Sequence, residues 1–498
     1  MKKIKTITLV SLLIISLLLT NTNSFADSEL DDVEVLTIDL NSMFQDENVD
    51  YSKLKTTVVQ NIDFNKTLTD KEYNTDLSNF LHYFNQSQSY LGYSTEDEMK
   101  KELNKIIQNK TGRTVSDLKF DMDKIIAMTN DGHASGMINV GSAYLPIKMK
   151  IIDDDIYIIN TTENYKNLLY SKIISINGES AKSLLDKFYK YVSGENEYFK
   201  KAKLESYYLS YIDIYNKENI IKNNRISLEL ENDGKIQNID IESIKMEPTK
   251  IFKQYFEGSE SKRFVYDIND KIGKKFVQNN KERFTDDEAF YCYEREGSLI
   301  VKYNQAADKS DEISLKNLEK NMDSIIKKNN TNKIILDLRY NNGGETTHFR
   351  ELSRKLQTYQ ISNPQLEFRV LTDYNSYSAA TFLIDDIKKR LNNVTIVGNF
   401  TGGPSDWTTS SSGSMLYFGN SHLFTSSVSS YLFRFDYNYN DIMHCSNLNK
   451  RDGLTWYPDM FIENQIQDYA IGNDRVMNYA LRDEGNNSLI DKIKEIFR

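Results

Sequence analysis

The chain has 498 residues, a formal net charge of -10 and 39% hydrophobic residues. At roughly 150 residues per domain this allows two to four domains, with apolar side chains enough for real cores. The acidic balance argues against nucleic acid or an anionic lipid surface as a partner. The two cysteines have no CxxC spacing, which argues against a zinc or dithiol centre.

The N-terminus has the form of a secretory signal. Lys2, Lys3 and Lys5 precede an apolar run from Ile7 to Leu19, and Ser24-Phe25-Ala26 places small residues at the cleavage positions. The run is shorter than the roughly 18 residues that span a bilayer. Residues 1–26 are therefore expected to be a signal peptide cleaved after Ala26, with an uncleaved anchor as the alternative, and loss of its three lysines takes the charge from -10 to -13. No cysteine follows the run, so a lipid anchor is not expected. No later stretch is long and apolar enough to cross a membrane, so the mature protein is expected to be exported, secreted or extracytoplasmic.

Residues 27–140 are predicted to be mainly helical. Thr95-x-x-Glu98 is a capping-box pattern, followed by Met99, Leu103, Ile106 and Ile107 at helical spacing. A second amphipathic stretch carries Leu118, Met122, Ile125 and Ile126 and stops at Asn130-Asp131-Gly132, a helix-ending turn that leaves His133 on a loop. Residues 141–250 are predicted to be a small β-rich module. Ile147 to Ile152 and Ile156 to Ile159 flank Asp153-Asp154-Asp155, a hairpin signal, and Ile173 to Gly178 reads as a strand entering a turn before a helix with Leu184, Leu185 and Phe188. Residues 251–285 are charged and poor in apolar side chains, as in a linker or surface excursion.

Residues 286–482 alternate between strand and helix patterns. Strands are predicted at Leu299 to Tyr303, Ile334 to Leu338, Leu366 to Thr372 and Val394 to Val397. Helix stripes lie at Ile313 to Ile326, from Phe349 through Leu356, and at Phe382 to Leu391. Such alternation predicts an α/β fold with a largely parallel sheet and crossover helices. Residues 483–498 read as a C-terminal tail.

Two turns in this part carry chemistry. Asn375-Ser376-Tyr377-Ser378-Ala379-Ala380 is a small-residue strand-to-helix turn that can lift the Ser378 hydroxyl out of the backbone, with the Ala379 amide placed to help hold an oxyanion. Asp337-Leu338-Arg339-Tyr340-Asn341-Asn342-Gly343-Gly344 is a second strand ending in a glycine turn, where the backbone can approach a ligand with N–H groups free. Among the five histidines, His133 alone follows Asp-Gly. His348, near the glycine turn, is its competitor, and His82 sits in a helical stretch. Cys292 and Cys445 are compatible with one disulfide or with two separate thiols. The aromatics Tyr431, Phe433, Phe435, Tyr437 and Tyr439 alternate at period two, as on a sheet face or along a hydrophobic cleft.

These motifs, in this order, resemble the C-terminal processing peptidase family, which includes tail-specific and tricorn-type serine peptidases. The resemblance covers Asp131-Gly132-His133, the Asn177-Gly178 region, Asp337 to Gly344, Ser376 to Ala380, Gly398 with Thr401-Gly402-Gly403, and Gly453 to Asp459. It implies a ClpP/crotonase-like core, with residues 141–250 as a PDZ-like module. One family layout uses a Ser–Lys dyad, but no lysine occurs in Thr401 to Asp406, where it would lie. The other uses Ser, His and a carboxylate. It implies Ser378 as nucleophile, His133 as base and Asp452, six residues before Pro458, as acid, with Gly343, Gly344 and Ala379 as oxyanion donors. Thr381 stands where the family often has an acid, and Asp452 where it usually has Glu. The function implied is an exported serine endopeptidase that cleaves protein or peptide substrates through an acyl-enzyme, with no metal or organic cofactor. The alternative is a catalytically inactive peptide- or ligand-binding protein on the same scaffold.

Overall fold

In the computed structural model, residues 33–37, 62–85, 96–109, 113–134, 142–206, 208–221, 225–245, 290–308, 310, 314–328, 331–404, 407–411, 416–425, 429–435 and 456–482 are described. The segments expected to be a signal peptide, a charged excursion and a C-terminal tail, with Thr95, Cys445, Asp452, Tyr437 and Tyr439, lie outside them.

A strand, β1 (Val33–Thr37), comes first, in a region expected to be helical. Three helices follow: α1 (Asp70–Asn85), α2 (Glu96–Gln108) and α3 (Val115–Ala127). A capping box opens α3. Thr114 Oγ1 accepts from the Asp117 amide and Asp117 Oδ2 accepts from the Thr114 amide. The apolar face of α3, with Leu118, Met122, Ile125 and Ile126, packs against Tyr73, Leu77 and Phe80 of α1. After Ala127 the chain turns through Asn130, whose φ of 49° ends the helical path.

The β-rich module contains β2 (Ala143–Tyr144), β3 (Ile147–Ile152), β4 (Asp155–Thr161), β5 (Lys172–Ile176) and β6 (Glu179–Ser180), then α4 (Ala181–Phe188), α5 (Glu197–Ser206) and α6 (Ile212–Lys217), then β7 (Arg225–Asn232), β8 (Lys235–Glu242) and β9 (Ile244–Lys245). Its sheet runs in the order β3-β4-β5-β7-β8, with β6 paired to β5. The hairpin expected at 153–155 turns on Asp153 and Asp154, both at positive φ, which matches the right-handed strand twist. Asn177 and Gly178 make the same kind of turn between β5 and β6. Alternate strand residues, such as Ile156, Ile158, Ile226 and Leu228, with Ile173 and Ile176 on either side of a register shift in β5, build one core with Leu184 and Phe188 of α4.

The second large sheet follows chain order: β10 (Phe290–Arg295), β11 (Ser298–Tyr303), β12 (Lys333–Asp337), β13 (Glu367–Thr372), β14 (Val394–Gly398) and, later, β19 (Met460–Phe461). β10 is antiparallel to β11, and every later pair is parallel. The crossovers are α7 (Leu315–Lys328), α8 (Thr346–Ser362) and α9 (Ala379–Arg390). Their apolar stripes meet Leu299, Val301, Ile334, Leu336, Phe368, Val370 and Ile396 on one face. The intervening residues Ile300, Ile335, Leu371 and Val397 face the other way, onto Val476, Met477 and Leu481 of a C-terminal helix. β11, β12, β13 and β14 lie within a residue or two of their predicted bounds, because parallel strands buried on both faces read as continuous apolar runs, whereas β10 and β19 were not predicted.

Between β14 and β19 the chain forms β15 (Trp407–Ser411), a short hairpin of β16 (Leu416–Tyr417) and β17 (Phe424–Thr425), and β18 (Ser429–Phe435). β18 carries Tyr431, Phe433 and Phe435 and pairs with both β15 and β1. Two helices end the described chain, α10 (Ile466–Ile471) and α11 (Arg475–Leu481).

Candidate active site

In a parallel sheet with sequential crossovers, the turns leaving neighbouring strands gather at their carboxyl ends, where open α/β sheets bind ligands. Asp337 pairs with Leu371 and Thr372 with Gly398, so the turns after β12, β13 and β14 lie side by side. These are the glycine turn, the Ser378 turn and the Thr401-Gly402-Gly403 turn.

The glycine turn is pinned from beneath. Arg339 forks onto Asp337 through Nε and Nη2, at 2.9 and 2.7 Å, and onto Asp474, at the start of α11, through both Nη atoms. Burial disfavours the Asp337 carboxylate, but Arg339 and Lys302 outweigh it and hold the group far below the usual range. Asn341 locks the two turns together. Its side chain donates to the Tyr303 carbonyl at 2.7 Å, and its own carbonyl accepts from the Tyr377 amide at 3.0 Å. Gly343, at φ +98°, lies against the nucleophile turn so closely that a Cβ there would sit 2.7 Å from Ser378 Cβ and 2.9 Å from the Ala379 nitrogen.

The expected oxyanion amides differ among themselves. The Gly343 N–H donates to Asn341 Oδ1 at 2.7 Å, so Gly343 serves as close backbone and its amide is already taken. Ala306 bonds the carbonyl of Gly343 and the amide of Glu345, leaving the Gly344 N–H unclaimed between them. Among the described residues, the amides of Gly344 and of Ala379, the first residue of α9, carry no hydrogen bond.

Ser378 has φ 55° and ψ -126°, a region costly for any residue with a side chain. Its surroundings over-determine this conformation: Asp373 Oδ1 accepts from the amides of Tyr340, Asn375 and Ser376. Ser376 is fully buried and donates to the Leu338 carbonyl at 2.9 Å, which makes it part of the scaffold. Thr381, also buried, donates to the carbonyls of Ser378 and Pro404 at 2.7 and 2.9 Å and so ties the start of α9 to the third turn.

His133 arrives from the loop after α3. Asp131 Oδ1 accepts the His133 amide at 2.9 Å and fixes the turn. The His133 Nε2 lies 3.1 Å from Ser378 Oγ, across 245 positions of chain. Burial pushes the imidazole down to about 4, against Asp131, which raises it, and with Lys203, which lowers it further. At neutral pH the ring is therefore an uncharged base. His348, on α8, faces Asp308 at 3.5 Å.

The partner of His133 Nδ1 among the described residues is the Tyr377 hydroxyl, at 2.7 Å, and that hydroxyl donates to Glu195 Oε1 at 2.7 Å. The Tyr377 ring stacks on Phe199 of α5 at 3.7 Å between centroids. Gly132 leaves the space these groups fill. A Cβ there would be 2.4 Å from Glu195 Oε2 and 2.5 Å from the Tyr377 hydroxyl. Lys203 of α5 donates to the Gly132 carbonyl at 2.7 Å and to Ser193 at 3.2 Å. Burial raises Glu195 to about 7, with Asp131 adding to the rise, and lowers Lys203 to about 8. Asp131, His133 and Glu195 also form a group of metal-ligand type, their nearest atoms within 4.8 Å of one another. Both ring nitrogens of His133 are already engaged, by Ser378 and Tyr377, so the group reads as a hydrogen-bonded set.

Ser378, His133, Ala379 and the two glycines are thus brought together, while Asp452 lies outside the described residues. Tyr377, Glu195, Lys203 and Asn341 were not singled out from the sequence. Tyr377 adjoins the serine, a signal that was available, whereas nothing about Glu195 marks it in a loop 183 positions before Ser378.

No family model matches this sequence, and no curated protein matches it. Among solved structures, mature CPAF complexed with lactacystin is similar to this chain with a TM-score of 0.55 at 12% identity, over 86% of this chain and 98% of that one. Mature CPAF alone gives 0.51 at 12% identity, over 82% and 96%. The photosystem II D1 C-terminal processing protease gives 0.37 at 8% identity, over 82% and 99%. At 12% identity the likeness to CPAF is one of fold.

Proposed function

We propose that this protein is an exported serine peptidase that hydrolyses peptide bonds through an acyl-enzyme. The observation that carries the reading is the approach of His133 Nε2 to Ser378 Oγ, 3.1 Å, at a strained turn on the carboxyl edge of the sheet. Ser378 Oγ attacks the scissile carbonyl and passes its proton to His133 Nε2. The imidazolium then protonates the leaving amine as the C–N bond breaks, and a water repeats the sequence to release the acid. The amides of Ala379 and Gly344 are the donors for the oxyanion, each of a kind that contributes about 10²–10³ in rate. The resemblance gives the orienting acid as Asp452. We read the second large sheet as a ClpP/crotonase-like core and residues 141–250 as a PDZ-like module that presents extended substrate. No helix among the described residues is long and apolar enough to cross a membrane, and the export assignment rests on the N-terminal pattern.

The test is hydrolysis of denatured casein, together with labelling by a fluorophosphonate, which needs an activated serine. The wild-type chain is expected to do both, and Ser378→Ala and His133→Ala to do neither while melting like wild type. Full hydrolysis by Ser378→Ala would remove the reading.

A further inference from the structure

We propose that Tyr377 and Glu195 are the positioning residues that set the tautomer of His133: a carboxylate on Glu195 takes the single proton of the Tyr377 hydroxyl, which leaves that oxygen able only to accept at Nδ1. This deepens the peptidase reading and rests on it for its catalytic meaning. A neutral imidazole has one N–H. With that proton on Nδ1, the Nε2 lone pair is free for the Ser378 hydroxyl. With it on Nε2, the ring cannot take the serine proton, and a wrong tautomer of this kind costs up to about 10⁴ in rate.

The geometry carries the chain of bonds from end to end: Ser378 Oγ to Nε2 at 3.1 Å, Nδ1 to the Tyr377 oxygen at 2.7 Å, and that oxygen to Glu195 Oε1 at 2.7 Å. Tyr377 and Glu195 are both buried, at 4% and 7% exposure, so water does not compete for either bond. Burial, first, and then Glu195 and Asp131 push the Tyr377 phenol well above its ordinary range, so it remains a hydroxyl with one proton to give. Among the described residues, Glu195 Oε2 has no hydrogen-bond partner on another residue, so the carboxylate charge reaches His133 through the Tyr377 hydroxyl on Oε1. When Ser378 gives up its proton, the imidazolium faces this charge through the tyrosine oxygen.

The arrangement makes the base sensitive to the ionisation of Glu195. Among the described residues, the charged and titratable groups around it are Asp131 and His133 from the loop after α3, Lys200 and Lys203 from α5, and Tyr377 from the nucleophile turn. A protonated Glu195 donates to the tyrosine oxygen. The hydroxyl must then donate to Nδ1, and the His133 proton moves to Nε2, the unreactive form. Glu195 is held near 7 and His133 near 4. The rate should therefore rise with pH through about 7 as Glu195 ionises, well above the titration of the imidazole.

The test uses the full chain with two readouts. Nitrogen chemical shifts of the His133 ring report the tautomer directly, whether or not the protein cleaves anything. Initial rates on denatured casein between pH 5 and 9 report kcat and KM. The wild type is expected to show Nδ1–H at pH 8 and Nε2–H at pH 5.5. Tyr377→Phe keeps the ring on Phe199 and should lose the Nδ1–H form, with kcat lower by about 10²–10⁴ and KM nearly unchanged. Glu195→Gln keeps an acceptor for the hydroxyl but cannot titrate, so it should remove the inflection near pH 7 and lower kcat at least about tenfold. A wild-type ring in the Nε2–H form at pH 8 overturns the proposal, and so does an unshifted pH profile in Glu195→Gln. A correct tautomer in a chain that neither cleaves casein nor takes up a fluorophosphonate leaves this assignment standing and removes the peptidase reading instead.

Discussion

Gly132→Ala is the substitution whose effect the structure defines most narrowly. The added methyl would lie 2.4 Å from Glu195 Oε2, 2.5 Å from the Tyr377 hydroxyl and 2.8 Å from Phe199 Cδ1. Comfortable contact between heavy atoms is at about 3.5–4.0 Å, so the shortfall is roughly 1 Å on three sides at once. None of the three neighbours can yield easily. The hydroxyl is held by both His133 and Glu195, and the Tyr377 and Phe199 rings stack on each other at 3.7 Å. The loop bearing His133 must therefore retreat, which lengthens the 3.1 Å approach to Ser378. A misplacement of about 1 Å can cost about 10² in rate, and overpacking of this kind costs about 1–3 kcal/mol of stability. The expectation is a kcat on casein lower by about 10², a KM nearly unchanged and a depressed melting temperature. Gly178→Ala is the control. Its added methyl meets nothing within 4 Å, and its φ of +81° is strained for alanine, so it should lose stability by about 1 kcal/mol with kcat intact. Wild-type kcat and melting temperature in Gly132→Ala would refute the packing on which the Tyr377–Glu195 assignment stands.

Two further expectations separate roles that the sequence leaves together. Ser376→Ala should destabilise the chain by about 1–3 kcal/mol, because it orphans the Asp373 amide and leaves the Leu338 carbonyl with the Asn341 amide alone. It should still be labelled by a fluorophosphonate at Ser378, and loss of labelling in a folded variant would move the nucleophile. Asp452→Asn should change kcat by no more than a few-fold if Tyr377 and Glu195 orient His133, and a fall of two orders of magnitude in a folded protein would return that role to Asp452.

Much of the core was legible because its signals are local. Ile334 to Leu338 and Leu366 to Thr372 are continuous apolar runs, which strands buried on both faces require, and the stripes of α7, α8 and α9 follow the helical period. The exposed serine at a strand-to-helix turn and the glycine turn before it are local too, since each depends on the conformations of a few consecutive residues. Pairings across long stretches of chain left no such trace. β1 joins β18 nearly four hundred positions away, and its five residues give no periodic signal long enough to call a strand.

By itself the sequence determined four strands of the parallel core and the helices between them, the serine turn, the glycine turn and a histidine placed just past a helix end. Only the tertiary structure decided that His133 meets Ser378 across 245 positions, that the Gly343 amide is spent on Asn341, and that Tyr377 and Glu195 stand behind the imidazole. The physical reason is the range of the interactions. Turn and strand preferences act over a few bonds of backbone, whereas a hydrogen bond between side chains depends on positions set by the packing of the β-rich module, α3 and α5 against the parallel sheet. Glu195 is an ordinary loop glutamate in the sequence, and burial beside Tyr377, Asp131 and Lys203 is what gives it its chemistry.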